Sequence, residues 1–192
     1  MNQDDLLAVD WSKISAPQDD GAARHLIGAA LPPVSLLATN DATVTLAGLS
    51  GRTVVFGYPR TGEPGKIALV DDWDMIPGAR GCTPQTCAFR DLFADLKAAG
   101  AQHVFGLSTQ SNAYQSEMAG RLHLPFPVLS DEALELTRAL NLPTMEVAGL
   151  VMIKRLALII DDGRITHVFY PVFPPDRNAG DVLAWLKENP RK

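Results

Sequence analysis

The sequence lacks several features that would point to particular classes of protein. Among 192 residues it has two cysteines, and 17 Lys and Arg against 22 Asp and Glu give a formal net charge of −5. No basic run interleaved with aromatics is present, so we expect no nucleic-acid partner. No stretch approaches the roughly 18 apolar residues of a membrane span, and the acidic start Met1–Asp5 lacks the pattern of a signal peptide. These absences predict a soluble, cytoplasmic protein that does not associate with membranes.

Potential metal ligands are also too few and too scattered. Two cysteines alone cannot complete a tetrahedral zinc site, and no histidine stands at ligand spacing from them. The histidines are His25, His103, His123 and His167. The acidic segment Asp71–Asp74 lacks the Gly and the terminal Glu of a calcium loop. We therefore expect neither a metal nor another cofactor.

The sequence does contain enough apolar residues for one domain, since 46% of the chain is hydrophobic. Residues 1–30 place Pro17, two acidic residues and Gly21 between short apolar patches. They are predicted to form an N-terminal extension with a short helix and a linker. The domain itself is predicted to cover residues 31–192.

Apolar periodicity predicts the order of elements in this domain. Two strands are followed by a long loop over 62–81 and then by a helix that presents Phe89, Leu92, Phe93 and Leu96 on one buried face. The strands are predicted at 43–46, 53–58, 104–107, 126–129, 156–160 and 165–170, and the later helices at 112–121, 132–140 and 181–188. This order predicts an α/β protein of the thioredoxin-like fold, with a mixed β-sheet flanked by helices on both faces.

The two cysteines, Cys82 and Cys87, lie close together at a predicted helix start. Thr83 followed by Pro84 is typical of a first turn, because Thr caps free N–H groups and Pro needs no hydrogen bond there. Cys82 is therefore predicted at a helix N-terminus, where free N–H groups and the helix dipole favour the reactive thiolate. A bridge that closes so short a loop adds little stability, so the pair indicates redox chemistry.

The spacing of the cysteines predicts a structural change on oxidation. In an intact helix, Cα atoms five positions apart are about 8.7 Å from each other. A disulfide needs less than about 7 Å. A bond between Cys82 and Cys87 therefore requires the first helical turn to unwind, and the two redox states should differ over residues 80–90.

The segment Gly81–Asp91 reads GCTPQTCAFRD and resembles the active-site helix of peroxiredoxins of the bacterioferritin-comigratory (Q) type. The resemblance covers roughly residues 31–188 and includes FPVLSD at 126–131, KRLALII at 154–160 and DGRI at 162–165. It implies a thiol-dependent peroxidase that reduces hydrogen peroxide and organic hydroperoxides. By the resemblance, Cys82 is the peroxidatic cysteine and becomes a sulfenic acid, and Cys87 resolves it as an intramolecular disulfide.

The resemblance also implies partners and two further site residues. Arg155 matches the arginine that polarises the bound peroxide, and Gln85 matches a Glu or Gln three residues after the nucleophile. Arg80 and Arg90 are nearer to Cys82 in sequence, so either remains an alternative for the local cation. A thioredoxin- or glutaredoxin-like reductant is expected to reduce the disulfide, and the sequence leaves open whether the protein is a monomer or a homodimer.

One family motif is not matched. The pattern Pro-x-x-x-Thr-x-x-Cys would require Pro and Thr where this chain has Met75 and Ala79. The family's Tyr-Pro pair is present at Tyr58–Pro59, but about sixteen residues are inserted between it and Cys82. A hydroxyl that aligns the peroxide is useful. We predict that Thr61 folds back to supply it.

Other functions on the same fold are kept as alternatives. A thioredoxin-like protein disulfide oxidoreductase would use Cys-x-x-Cys, with a Pro in place of Arg155. A copper-delivering assembly factor would need two cysteines and a His to hold the metal. In a non-catalytic interaction domain, the number of free thiols would not fall rapidly when hydrogen peroxide is added.

Overall fold

Residues 9–191 are described by a computed structural model. Within this range the strands are β1 (Ser35–Ala38), β2 (Thr43–Thr45), β3 (Arg52–Gly57), β4 (His103–Ser108), β5 (Val128–Ser130), β6 (Thr144–Val147), β7 (Leu150–Ile153), β8 (Leu156–Asp161) and β9 (Arg164–Phe169). The α-helices are α1 (Cys82–Asp91), α2 (Phe93–Ala98), α3 (Asn112–Arg121), α4 (Glu135–Leu140) and α5 (Asn178–Glu188). None of these described helices has the length and apolar character needed to cross a membrane.

Seven strands form one mixed sheet in the order β2-β1-β5-β4-β3-β8-β9. The central strands β3, β4 and β5 run parallel, whereas β8 pairs antiparallel with β3 and β9 with β8. Strand β3 is buried along its whole length, because its two neighbours take its backbone hydrogen bonds and both faces of the sheet are covered. The strands β6 and β7 form a separate hairpin.

The alternating side chains of β3 reach two apolar clusters, one on each face of the sheet. Phe56 packs on the face that carries α1 and stacks on Phe89 with a ring-centroid distance of 4.0 Å. Val55 packs on the opposite face with Leu107 of β4 and Leu136 of α4. This arrangement of helices on both faces confirms the predicted fold class, and it fixes α1 against the central strand.

Several element predictions differ from the structure. Strand β1 and the hairpin β6–β7 were not predicted, because each strand has only four residues and a short apolar run carries little periodic signal. The predicted helix through Leu96 is interrupted at Leu92, where α1 ends and α2 begins. The closing helix begins at Asn178, three residues earlier than predicted.

The predicted N-terminal extension is described from residue 9 onward, and residues 1–8 lie outside the described range. Instead of an α-helix, the described part contains two 3-10 turns, Trp11–Lys13 and Arg24–Leu26. Leu26 is fully buried in the cluster around Val55. The extension therefore packs on the sheet through its second turn.

Candidate active site

Helix α1 starts at Cys82, directly after the long loop that leaves β3. The preceding residue, Gly81, has φ = 102°, a conformation that residues with side chains rarely adopt. A Cβ atom there would lie 2.6 Å from Cη2 of Trp11 and 2.7 Å from Cγ of Pro175. Only glycine fits this turn, which sets Cys82 at the first position of the helix.

The prediction that Cys82 lies at a helix N-terminus is confirmed, but the prediction that Thr83 caps this helix is wrong. Gly81 occupies the cap position without a side-chain hydrogen bond, and both Thr83 and Pro84 lie inside the first turn. The first helical backbone bond runs from the N–H of Gln85 to the carbonyl of Gly81 at 3.0 Å. The N–H groups of Cys82 and Thr83 therefore have no acceptor within the helix.

The thiol of Cys82 is nearly enclosed and contacts a cation. Only 3% of the residue is exposed. Its Sγ donates to the carbonyl of Ala79 at 3.5 Å, and Nη2 of Arg155 donates to Sγ at 3.3 Å. The guanidinium therefore lies at hydrogen-bond distance from the sulfur.

Arg155 stands just before β8 and is itself 2% exposed. Its Nη2 also donates to the backbone carbonyls of Gly78, Ala79 and Arg80 at 3.2, 3.3 and 2.9 Å. The end of the inserted loop therefore wraps around the guanidinium. This network holds the cation against Cys82.

The two alternative cations are engaged elsewhere. Arg80 lines the same cavity as Cys82, and its Nη1 forms an ion pair with Asp74 at 3.0 Å. Arg90 pairs with Asp91 at 2.8 Å and donates to the carbonyl of Leu122. Because Arg155 has the hydrogen bond to Sγ, the structure favours Arg155 as the predicted cation.

Gln85 is fully buried one turn after Cys82 and connects α1 to Arg155. Its Oε1 accepts from Nη1 of Arg155 at 2.5 Å, and its Nε2 donates to Oδ1 of Asn178 at 2.9 Å. The predicted residue Gln85 thus lies at the site, where it contacts Arg155. Asn178 was not predicted, because nothing local to α5 indicates that its first residue meets α1.

Both cysteines are free, and they lie in one continuous helix. Cys87 is 6% exposed, and burial raises the pKa of its thiol, with a smaller opposing effect from Arg90. Within the first turn, the Thr86 hydroxyl donates to the carbonyl of Cys82 at 2.9 Å. Since Cys82 and Cys87 are five positions apart in this helix, the predicted opening of the first turn on disulfide formation stays a prediction.

A cavity of about 370 Å³ borders Cys82. The inserted loop forms an apolar wall of the cavity from Ile67, Ala68, Leu69 and Trp73. The charged residues of its lining are Arg60, Glu63, Lys66 and Arg80, of which Glu63 and Lys66 form an ion pair at 2.7 Å. Thr83, Pro84 and Tyr114 also line the cavity. The cavity is large enough for a peroxide with an organic substituent.

Thr61 also lines this cavity and is 1% exposed. Its hydroxyl donates to Oε1 of Gln110 at 3.1 Å rather than to Cys82, and its N–H donates to the same oxygen at 2.9 Å. The Tyr114 hydroxyl donates to the Thr61 carbonyl at 3.1 Å. The structure brings Thr61 to the site, but its predicted hydrogen bond to thiolate and peroxide stays a prediction. Gln110 and Tyr114 gave no signal in the sequence.

The family model described as Redoxin matches residues 26–183. Together with the thioredoxin-like sheet and the cysteine at the start of α1, this match defines the class: the chain belongs to the redoxin family. Among its relatives, the chain is 29% identical over 161 residues to the chloroplastic peroxiredoxin Q of Oryza sativa subsp. japonica, over 83% of this chain and 66% of that protein. It is 29% identical over 155 residues to the chloroplastic peroxiredoxin Q of Triticum aestivum, over 80% of this chain and 63% of that one.

The matched region thus spans just under two thirds of the length of these plant relatives. Solved structures agree in fold. Peroxidoxin BcpB from Mycobacterium tuberculosis has a TM-score of 0.67 at 25% identity, over 86% of this chain and 98% of that one. A PrxQ mutant from Xylella fastidiosa has a TM-score of 0.67 at 21% identity, over 84% of this chain and 95% of that one. The resemblance to peroxiredoxins of the Q type is confirmed.

Proposed function

We propose that the protein is a thiol-dependent peroxidase in which the Cys82 thiolate attacks a hydroperoxide. The contact of 3.3 Å between Nη2 of Arg155 and Sγ of Cys82, at a helix N-terminus beside an open cavity, carries this proposal. Membership of the redoxin family and similarity to peroxiredoxin Q support it.

The first step forms a bond between sulfur and oxygen. The thiolate attacks the terminal oxygen, the O–O bond breaks, and the other oxygen leaves as water or an alcohol after taking up a proton. Cys82 becomes a sulfenic acid. Negative charge develops on the departing oxygen, and the guanidinium of Arg155 and the free N–H groups of Cys82 and Thr83 are fixed donors for it.

The second step joins the two cysteines. The Cys87 sulfur attacks the sulfenic acid, an S–S bond forms, and water leaves. While α1 is folded, burial raises the pKa of Cys87 and so disfavours its thiolate form. Unwinding of the first turn brings Cys87 within reach of Cys82 and exposes it to water, so that it can lose its proton.

We propose that the substrates include hydrogen peroxide and organic hydroperoxides. The apolar wall from Ile67 to Leu69 offers contacts to a hydrocarbon group while the peroxide end meets Cys82. The bacterioferritin comigratory protein of Xanthomonas campestris, whose solved structure has a TM-score of 0.65 at 22% identity, has an alkyl peroxide reduction activity. That activity is a property of the Xanthomonas protein.

A dithiol must return the disulfide to the reduced state, because each turnover consumes two electrons. We propose a thioredoxin- or glutaredoxin-like protein as this reductant, with the peroxidase acting as a monomer or a homodimer. A cytoplasmic location stays a proposal. The chloroplast location belongs to the named plant relatives.

Stopped-flow peroxide consumption tests the proposed function. The wild-type protein, Cys82→Ser and Cys87→Ser are each mixed with hydrogen peroxide, tert-butyl hydroperoxide and cumene hydroperoxide. We expect Cys82→Ser to be inactive. Cys87→Ser should consume one equivalent of peroxide rapidly and then turn over slowly with a dithiol. An active Cys82→Ser variant, or a wild-type protein that consumes none of the three peroxides, would contradict the proposal.

A further inference from the structure

Three buried polar side chains from distant parts of the chain form a hydrogen-bonded series that ends at Cys82. Asn178 begins α5, Gln85 lies in α1 and Arg155 precedes β8. Oδ1 of Asn178 accepts from Gln85, Oε1 of Gln85 accepts from Arg155, and Arg155 donates to Sγ of Cys82. All three residues are at most 2% exposed. Water therefore cannot replace a lost partner without a change in packing.

The middle residue of the series is an amide, and an amide has two different ends. Only the oxygen of Gln85 can accept from the guanidinium, whereas its NH2 group would set donor against donor. The side chain can rotate to exchange these ends unless a second contact fixes it. Asn178 supplies that contact, because its carbonyl oxygen accepts from Nε2 of Gln85.

Two nitrogen atoms in the series have no hydrogen-bond partner among residues 9–191. They are Nδ2 of Asn178 and Nε of Arg155. The Asn178 side chain therefore contributes its acceptor to Gln85 while its own donor stays unused. A buried asparagine with an unsatisfied donor is costly as a purely structural residue.

We propose that Asn178 is a positioning residue for the peroxidase: it orients the amide of Gln85, which in turn fixes Nη1 of Arg155 and aims Nη2 at Cys82. This inference rests on the proposed function for its role in catalysis. The orientation of Arg155 toward Cys82 is a property of the reduced protein, and it can be measured without peroxide.

Replacement of Gln85 by glutamate separates an orienting role from a packing role. A carboxylate has two equivalent acceptor oxygens, so it can accept from Arg155 whichever way it turns. Asn178→Leu should therefore lower the reactivity of Cys82 when residue 85 is the native glutamine. In the Gln85→Glu background the same substitution should change this reactivity little. If Asn178 acted through packing alone, Asn178→Leu would lower the reactivity of Cys82 by the same factor in both backgrounds.

The experiment measures two rate constants for each protein. One is the second-order rate constant for the reaction of Cys82 with hydrogen peroxide. The other is the alkylation rate of Cys82 by iodoacetamide at pH 7, measured with Cys87→Ser so that one thiol reacts. We expect Asn178→Leu to lower both rates about tenfold in the native background and less than about twofold in the Gln85→Glu background. Asn189→Ala, at the other end of α5, is the control and should change neither rate.

Asn178→Ala removes the same acceptor without adding apolar volume, so the test stands even if Asn178→Leu does not fold. Equal losses in the two backgrounds, or no loss in either, would overturn the positioning role. If alkylation shows the expected pattern while the wild-type protein reduces no peroxide, the positioning role stands and the proposed function is wrong. If the wild-type protein reduces peroxide but Asn178→Leu lowers the rates equally in both backgrounds, the proposed function stands and the positioning role is wrong.

Discussion

At the scale of single residues, the site depends on the placement of one guanidinium. Arg155 touches the thiol, one side chain of α1 and three consecutive carbonyls of the inserted loop. We expect Arg155→Met to lower the second-order rate constant with peroxide about a hundredfold, which corresponds to about 3 kcal/mol of lost transition-state stabilisation. The methionine keeps much of the buried volume but has no donor for the thiolate or the departing oxygen.

Arg80→Met is the matched comparison, because Arg80 lines the same cavity and pairs with Asp74. It should lower the rate much less than Arg155→Met. Stopped-flow kinetics at pH 7 with both variants makes the comparison. If the variants rank in the opposite order, the catalytic cation belongs to the inserted loop.

The sequence predicted the residues of the site that lie in local motifs. Cys82, Gln85 and Cys87 stand in one run of eleven residues, and Arg155 precedes a recognisable strand. Asn178 is 93 positions from Gln85, and no periodicity or spacing reports a contact over that distance. Such contacts depend on how elements pack, which a single sequence does not express.

At the scale of elements, the proposed mechanism requires the first turn of α1 to be stable in the reduced protein and to open after oxidation. It is stabilised by the Thr86 hydroxyl on the carbonyl of Cys82 and by the close packing at Gly81. We expect amide hydrogen exchange over residues 82–86 to become at least about tenfold faster in the oxidised protein, because a disulfide to Cys87 cannot form across an intact turn.

Helix α3 (Asn112–Arg121) lies outside the opened turn and serves as an internal control, with unchanged exchange expected. Mass spectrometry confirms the intramolecular disulfide in the same sample. Identical protection of α1 in the two states would show that the bond forms without unwinding.

The helices and strands whose bounds were predicted well are those in which many successive residues follow one apolar periodicity. The bounds of α3 match the structure, and β3, β4 and the β8–β9 hairpin differ by a residue or two. Strand β1 and the β6–β7 hairpin depend on pairing partners rather than on local sequence, so they were missed. The cap of α1 was misassigned by two residues because Gly81 is selected by close packing with Trp11 and Pro175, which are remote in sequence.

At the scale of the whole molecule, one buried arginine joins two strands of the sheet to the segment after α5. Arg52 in β3 donates from Nε and Nη2 to both oxygens of Asp161 in β8, each at 2.8 Å, and from Nη1 to the carbonyl of Asn189. The hydrogen bonds from Arg52 lower the pKa of Asp161 below its ordinary value of 3.8, against a smaller effect of burial. The pair therefore links β3, β8 and the segment after α5.

This pair predicts a pH dependence of stability. The folded-state pKa of Asp161 is below its unfolded value, so its contribution is fully present above about pH 4 and is lost as the pH falls further. Between pH 6 and pH 2.5, we expect the free energy of unfolding of the wild-type protein to fall by on the order of 1 kcal/mol more than that of Asp161→Asn. The difference is modest because the ion pair is partly exposed. Urea unfolding at a series of pH values measures it.

Asp95→Asn, an exposed carboxylate on α2, is the control and should follow the wild-type profile. Asp161→Asn should also be less stable than the wild type at pH 7, because Arg52 remains 5% exposed without its carboxylate partner. Parallel pH profiles for the wild type and Asp161→Asn would show that Arg52 does not shift the pKa of Asp161.

The contact of Trp11 with the start of α1 bears on how the protein should be produced and labelled. Nε1 of Trp11 donates to Asp176 at 2.8 Å, its ring packs on Phe173, and the same ring leaves no room for a side chain at Gly81. A recombinant protein shortened to residues 31–192 would lose this ring and with it the packing on Gly81, directly before Cys82. The segment after α5 meets the opposite end of β8 from Arg155, about 20 Å away along a strand of six residues. For the proposed chemistry at Cys82, an N-terminal truncation therefore has a greater structural consequence than a change in the segment after α5.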